Sequence, residues 1–213
     1  MMATSVKSNR TTLTSTQIDF YDDFGYLIVP NVYDVRDCQT VIQAADEFAD
    51  DDFSVCLNIH RKSFFFMDIA RDHVLVEMAK SVQRHDIVGL NDQYLYKKPG
   101  TKYAKQAWVP HQDSVMAGTK QGTYVQLHIF LEDHNKNNGG IYFYPGSHRL
   151  GHLSYDYKLS SKEESDYDGQ TRPGWECQVP EGYERRDVVA TAGSVCLQHG
   201  NMIHGSYPNK TVD

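Results

Sequence analysis

From about residue 87 onward the chain is written in short apolar or alternating runs: "DIVGLNDQYLYKKPG", "QAWVPHQD", "GTYVQLHIFLED", "GGIYFYPGS" and "DVVATAGSVCLQHG". Turn-forming clusters such as "KKPGTK", "NKNNGG" and "YPGSHRLG" separate them. Runs this short, bounded by Gly, Pro and Asn, read as strands. Several short strands with long returns predict an antiparallel sandwich or jelly roll for residues 87–213.

The residues before this region carry a helical pattern. Thr14 followed by Gln17 has the form of a capping box, and Gly25 stands where a helix would be closed, just before the strand-like "YLIVP". Asp34 is the expected cap of a second helix, because Val35, Cys38, Val41, Ile42, Ala45 and Phe48 recur at three- and four-residue steps. Residues 13–86 are thus expected as a helical support for the β core, with residues 1–12 as a disordered start. The charged, tyrosine-rich stretch 154–187 is too long for a simple connector, so either a lid or a surface insertion is expected there.

A length of 213 residues fits one domain. The 40% hydrophobic and 12% aromatic content excludes disorder for the bulk of the chain. A net charge of −7, without a run of Lys or Arg, argues against a nucleic-acid partner. Cys38, Cys56, Cys177 and Cys196 have neither zinc-ribbon nor disulfide-framework spacing and are expected as buried, reduced thiols. No apolar run approaches the roughly 20 residues of a membrane span, and the start lacks a secretory apolar centre, so a soluble intracellular protein is expected. The acid-free, Ser/Thr-rich opening with Lys7 and Arg10 leaves organelle targeting as a less favoured alternative.

Within this framework "VPHQDSVM" carries chemistry. In an extended backbone His111 and Asp113 project from one face while Gln112 points away. An imidazole and a carboxylate converging in this way are two of the three protein ligands in a facial site for non-haem Fe(II), which leaves positions open for substrates. The best source of a third ligand is "CLQHGNMIHGSYPN", where His199 and His204 compete. His204 is preferred because Ser206 follows it at the same alternation. With ten histidines in the chain, an HxD triplet alone is weak, and a buried His is more often a hydrogen-bonded core residue than a ligand. Two histidines and an aspartate would also suit a zinc hydrolase, although no HExxH-like segment supplies its general base. A non-catalytic jelly-roll binding protein is the third reading.

The order "KKPG…HQDS…LHIFLEDHNKNNGGIYFYPGSHRLGH…GSVCLQHGNMIHGSYPN" resembles the phytanoyl-CoA dioxygenase family of Fe(II)- and 2-oxoglutarate-dependent oxygenases. The similarity runs from roughly residue 13 to the C-terminus. It implies a double-stranded β-helix of the cupin-like jelly-roll kind, mainly β with N-terminal helices. His111, Asp113 and His204 would be the iron ligands and catalytic centre, and Ser206 would meet a carboxylate of 2-oxoglutarate. Tyr96 and His128, the latter where relatives often carry Trp, would line the cosubstrate pocket; Gln126 joins them by alternation with His128. "PGSHRLG" would be a structural turn, with His148 outside the ligand set. The implied activity uses O2 to oxidise a C–H bond of a small molecule by hydroxylation, desaturation or cyclisation, with succinate and CO2 as co-products. Asp113 disfavours halogenation, because halogenating relatives carry a small residue there.

The family also supplies an arginine about eleven residues beyond the distal histidine for the far carboxylate of 2-oxoglutarate. Counted from His204, that position lies past Asp213, and Lys210 is a poorer geometric match. The expectation is therefore an incomplete chain lacking its last strand, with a degenerate oxygenase as the alternative. The substrate, expected to carry a carboxylate, would lie between the helical region and residues 154–187. Arg172, Arg185, Arg186 and Trp175 would meet it there, or His60, Arg61 and Lys62 from "NIHRKSFFF".

Overall fold

The computed structural model describes residues 6–9, 12–48, 55–101, 103–118, 120, 122–158 and 174–212. The expected disordered start therefore falls mostly outside the described residues.

Helix α1 (Ser15–Phe24) begins as read: Thr14 Oγ1 accepts from the Gln17 N–H, and Gln17 Oε1 accepts from the Thr14 N–H. Gly25 closes it in the left-handed region at φ +77°, donating its N–H to Tyr21 O. β1 (Tyr26–Val29) follows directly, then α2 (Val35–Asp46). Asp34 occupies the cap position of α2, but its carboxylate makes no cap hydrogen bond and accepts instead from Asn9 Nδ2 at 3.0 Å. The buried face of α2 is Cys38, Val41 and Ala45, and Val35, expected on it, is 56% exposed. Next come β2 (Val55–Leu57), α3 (Phe64–Ala70) and α4 (His73–Gln83).

The β region comprises β3 (Gln93–Leu95), β4 (Trp108–His111), a short helix α5 (Asp113–Ala117), β5 (Val125–Ile129) and β6 (Ile141–Phe143). It continues with β7 (Tyr155–Lys158), β8 (Gly174–Cys177), β9 (Arg186–Asp187), β10 (Val195–His199) and β11 (His204–Ser206). The run "DIVGL" was read as part of a strand, yet it stays irregular, with Val88 91% and Leu90 52% exposed. Among the described residues it has no neighbouring strand, the pairing of β3 with β2 starting at Gln93.

The strands form two main antiparallel sheets, in the orders β1-β10-β5 and β4-β11-β6-β9. Alternation sorts the first sheet. Leu27, Val29, Val195 and Leu197 pack with Leu127 and Ile129 against Tyr21, Cys38, Val74, Leu75 and Met78 of the helices. Tyr26, Ile28 and Cys196 turn the other way and meet Ile141, Phe143, Val188 and Met202 of the second sheet and its connections. The molecule is therefore layered as helices, first sheet and second sheet, with a second helical cluster of Val41, Ala45, Ile59 and Phe66 closing over Cys56 and Tyr94. At about 25 cal/mol per Å² of apolar surface removed from water, these interfaces hold the layers together. The two-sheet jelly roll bears out the fold expected from the strand pattern.

The ends of the 154–187 stretch form a two-stranded pair, Tyr155 opposite Cys177, and β8 packs against β4. Residues 159–173, including Arg172, lie outside the described residues. All four cysteines are free and buried, as their spacing indicated. Among the described residues no helix is long and apolar enough to cross a membrane.

Gly205, at the centre of β11, shows how closely the second sheet is packed. A Cβ there would lie 2.3 Å from the Tyr142 hydroxyl and 2.4 Å from Trp108 O. Gly205→Ala is expected to destabilise the protein by about 1–3 kcal/mol through overpacking, lowering Tm by several degrees in a thermal melt. An unchanged Tm would show that β4 and β6 yield without cost.

Candidate metal centre

His111 ends β4, Gln112 is extended at φ −124° and ψ 131°, and Asp113 opens α5. The sequence reading had both ligand residues on one strand. The strand instead stops at His111, and the alternation survives because Gln112 remains extended. His204, the first residue of β11, stands directly opposite His111 in the ladder. The three side chains converge: His111 Nε2 lies 3.4 Å from Asp113 Oδ1, and His204 Nε2 lies 3.1 Å from Asp113 Oδ2. One donor atom from each lies within 4.8 Å of the others, and the two rings are 4.2 Å apart at 43°.

The far nitrogen of each ring faces a backbone carbonyl. His111 Nδ1 donates to Val109 O at 2.8 Å, and His204 Nδ1 donates to Met202 O at 3.0 Å. A proton fixed on Nδ1 turns Nε2 of each ring towards Asp113 at the centre of the cluster, the ring orientation a ligand histidine needs. Burial would raise the Asp113 carboxyl, but the imidazoles of His204 and His111 outweigh it and hold the group well below its ordinary value. Burial likewise works against charging His111, yet Asp113 raises its pKa overall. Two imidazole Nε2 atoms and one carboxylate converging in this way match the donor set of a facial divalent-metal site, a cation taking the place of the protons that Nε2 shares with Asp113.

Gln112 locks this arrangement from behind. It is fully buried; its Nε2 donates to Gly151 O and Asn201 O, and its Oε1 accepts from the Leu153 N–H. Its carbonyl accepts from the Tyr155 hydroxyl of β7 at 2.9 Å. The Ser114 N–H donates to Gly200 O, tying α5 to the turn that delivers His204. His199 stands outside the cluster, accepting the Asn201 N–H and packing beside Tyr21 and His148. His148 donates through Nε2 to Asp22 O, so the "PGSHRLG" turn anchors α1.

Ser206 lies one alternation beyond His204 and is buried. Its hydroxyl accepts from Lys97 Nζ at 2.8 Å, and the same ammonium donates to Gly139 O and Tyr207 O. Burial pushes the Lys97 pKa down to about 7. The sequence reading passed over this residue in favour of its neighbour Tyr96. Beyond Leu95 the side chains still alternate: Tyr94 and Tyr96 share one face, their rings 6.3 Å apart on the cluster against α2 and α3, while Lys97 reaches Ser206. The available signal was a lysine one step past an apolar strand, at the register opposite the tyrosines.

Gln126 and His128 lie on β5, facing Gln198 of β10: Gln126 is its direct cross-strand partner and His128 its diagonal one. Burial pulls the His128 pKa down to about 4. Gln126 Oε1 is buried and has no hydrogen-bond partner among the described residues. Of the residues weighed for a substrate anion, His60 is paired with Asp92 at 2.5 Å and Lys62 donates to Cys56 Sγ. The Arg185 guanidinium stacks over Tyr142 and Tyr207 at 5.0 and 5.2 Å. Tyr142 alternates with Phe143, the residue opposite His204, so Arg185 covers the face of the second sheet turned away from the triad.

Fold and site together define a jelly-roll protein with a facial His–Asp–His cluster. The chain belongs to the phytanoyl-CoA dioxygenase (PhyH) family, whose model matches residues 49–213. It is 27% identical over 154 residues to a phytanoyl-CoA dioxygenase of Arabidopsis thaliana, covering 71% of this chain and 50% of that protein. It is 28% identical over 144 residues to dioxygenase lolE1 of Epichloe uncinata, covering 68% and 49% respectively. The chain thus spans about half the length of these curated relatives. EvdO2 from Micromonospora carbonacea var. aurantiaca, solved in complex with 2-oxoglutarate, shares the fold with a TM-score of 0.76 at 13% identity. That match covers 97% of this chain and 89% of the solved one.

Proposed function

We propose that this chain is a single oxygenase domain that uses Fe(II) and 2-oxoglutarate with O2 to oxidise a C–H bond of a small molecule. The observation that carries the reading is the convergence of His111, Asp113 and His204, with both Nδ1 atoms held on backbone carbonyls so that both Nε2 atoms face the shared centre. When bound, Fe(II) and 2-oxoglutarate supply the oxidising chemistry, with succinate and CO2 as co-products.

In this reading the three side chains hold the cation facially and leave its remaining positions open. Ser206 and the Lys97 ammonium receive the far carboxylate of 2-oxoglutarate, one as a hydroxyl donor and the other as a buried charge. His128 and Gln126 meet the cosubstrate from β5, while Tyr96, next to Lys97 in the chain, packs against the helical cluster of α2 and α3. Gln112 keeps His111 and Asp113 aligned. The Trp108 ring, 41% exposed and 5.8 Å from the His111 ring, marks the approach for a small-molecule substrate beside β8. A carboxylate-bearing substrate draws no support from Arg185, which lies on the other face. Four buried free thiols accord with a reducing, intracellular setting.

The test is anaerobic addition of Fe(II) and then 2-oxoglutarate to the purified chain, with the visible spectrum recorded after each step. A charge-transfer band on the second addition, absent when Zn(II) replaces Fe(II), is the expected result. Tight Zn(II) binding with hydrolase activity and no such band would favour a zinc enzyme, and 2-oxoglutarate binding with no succinate released once O2 and candidate substrates are admitted a non-catalytic protein.

A further inference from the structure

Behind His204 stands a second buried polar group that the metal reading does not use. Gln198 has no solvent exposure. One end of its amide lies 3.1 Å from His204 Nδ1 and the other 3.0 Å from His128 Nε2. The two ends of an amide are equal in shape, so hydrogen accounting decides which is which.

The accounting starts at Met202. Its carbonyl, 3.0 Å from His204 Nδ1, can only accept, so that nitrogen carries the proton. An N–H that also faces the Gln198 amide must meet the oxygen, since an NH2 group there would set donor against donor. Gln198 Oε1 therefore shares the His204 Nδ1–H with Met202 O, and Gln198 Nε2 points at His128. The His128 Nε2 must then accept, which places the His128 proton on Nδ1.

We propose that Gln198 is a positioning residue with two linked effects: it holds His204 as the Nδ1–H tautomer with Nε2 free for the metal, and it fixes His128 as the neutral Nδ1–H tautomer. The second effect makes the free side of the His128 ring a hydrogen-bond donor, the polarity an anionic cosubstrate requires from its pocket. This rests on the proposed metal centre and adds to it a device that sets two imidazoles with one amide. Buried and satisfied networks of this kind specify a single arrangement, and partners of ligand histidines are typically worth about 10–100-fold in metal affinity.

The experiment uses ¹⁵N-labelled histidine and long-range proton–nitrogen correlation spectra, which read the tautomer of each imidazole. Zn(II) is the diamagnetic probe. In the wild type loaded with Zn(II), His128 is expected as Nδ1–H. Gln198→Glu places acceptors at both ends, so metal affinity should be kept while His128 turns to the Nε2–H form. Gln198→Leu should bind Zn(II) about 10–100-fold more weakly. A wild type that binds Zn(II) with His128 as Nε2–H overturns this proposal and leaves the metal centre standing. So does a His128 tautomer unchanged by Gln198→Glu. A wild type that binds no metal overturns the centre itself.

Discussion

Asp113→Ala is expected to remove Fe(II) binding and to reduce succinate release to background. Asp113 is the only one of the three converging residues that contributes charge, and its oxygens face both ligand nitrogens at 3.1 and 3.4 Å. Two neutral imidazoles alone form an incomplete facial set. Changes to residues that merely support ligands cost about 10–100-fold in affinity, so loss of the anionic ligand should exceed 100-fold. Fe(II) titration by equilibrium dialysis measures this directly, and retained affinity would remove Asp113 from the site. The metal-free protein should show a second sign of the same residue. The Asp113 pKa in the fold lies below its ordinary 3.8, so its contribution to stability is complete above that value and lost as pH falls towards the folded-state pKa. Unfolding of the apo wild type at pH 6 and pH 3 should differ by more than it does in Asp113→Ala.

Lys97→Met is expected to weaken 2-oxoglutarate binding by roughly 30-fold to 4,000-fold while leaving Fe(II) binding intact, since removing one member of a buried charge pair costs about 2–5 kcal/mol. Titration of the charge-transfer band separates the two effects. The pH dependence has a definite sign. With its pKa near 7, Lys97 in the cosubstrate-free protein is charged below neutrality and neutral above it. Binding an anion above pH 7 then requires proton uptake, so affinity should fall from pH 6.5 to pH 8.5 in the wild type and change little in Lys97→Met. His134, itself pulled down to about 4 by burial and by the neighbouring His128 and Lys97, stays uncharged across this range. Stability moves the other way. The unfolded lysine binds its proton up to about pH 10.5, so the free protein should gain stability as pH rises from 7 towards that value. A pH-independent affinity would place the carboxylate elsewhere.

What could be read in advance was local. The Thr14–Gln17 box and the Gly25 closure depend on residues within one helical turn, and both stand in the structure. The shared direction of His111 and Asp113 needs only an extended Gln112 between them. His204 required more, because it meets His111 only when β11 enters the ladder beside β4, a pairing that no local pattern specifies; the motif order and the family resemblance carried that step. Lys97 escaped notice because its role depends on which side of the chain faces inward just beyond β3. The Asp34 cap failed for a tertiary reason, its carboxylate being drawn to Asn9 from another part of the chain. The exposed "DIVGL" run shows that apolar character alone does not make a strand without a neighbour to pair with.

The order of strands also has a consequence for biosynthesis. β10 lies between β1 and β5, and β11 lies between β4 and β6, so in each sheet the strand latest in sequence is inserted between strands made before it. At typical elongation rates the stretch from His111 to His204 takes on the order of ten seconds to synthesise. Throughout that interval the nascent chain presents His111 and Asp113 without their partner, only two donors of the facial set of three. On the proposed metal reading, capture is expected only once both sheets have closed, and a ribosome-bound chain halted before residue 204 should carry none.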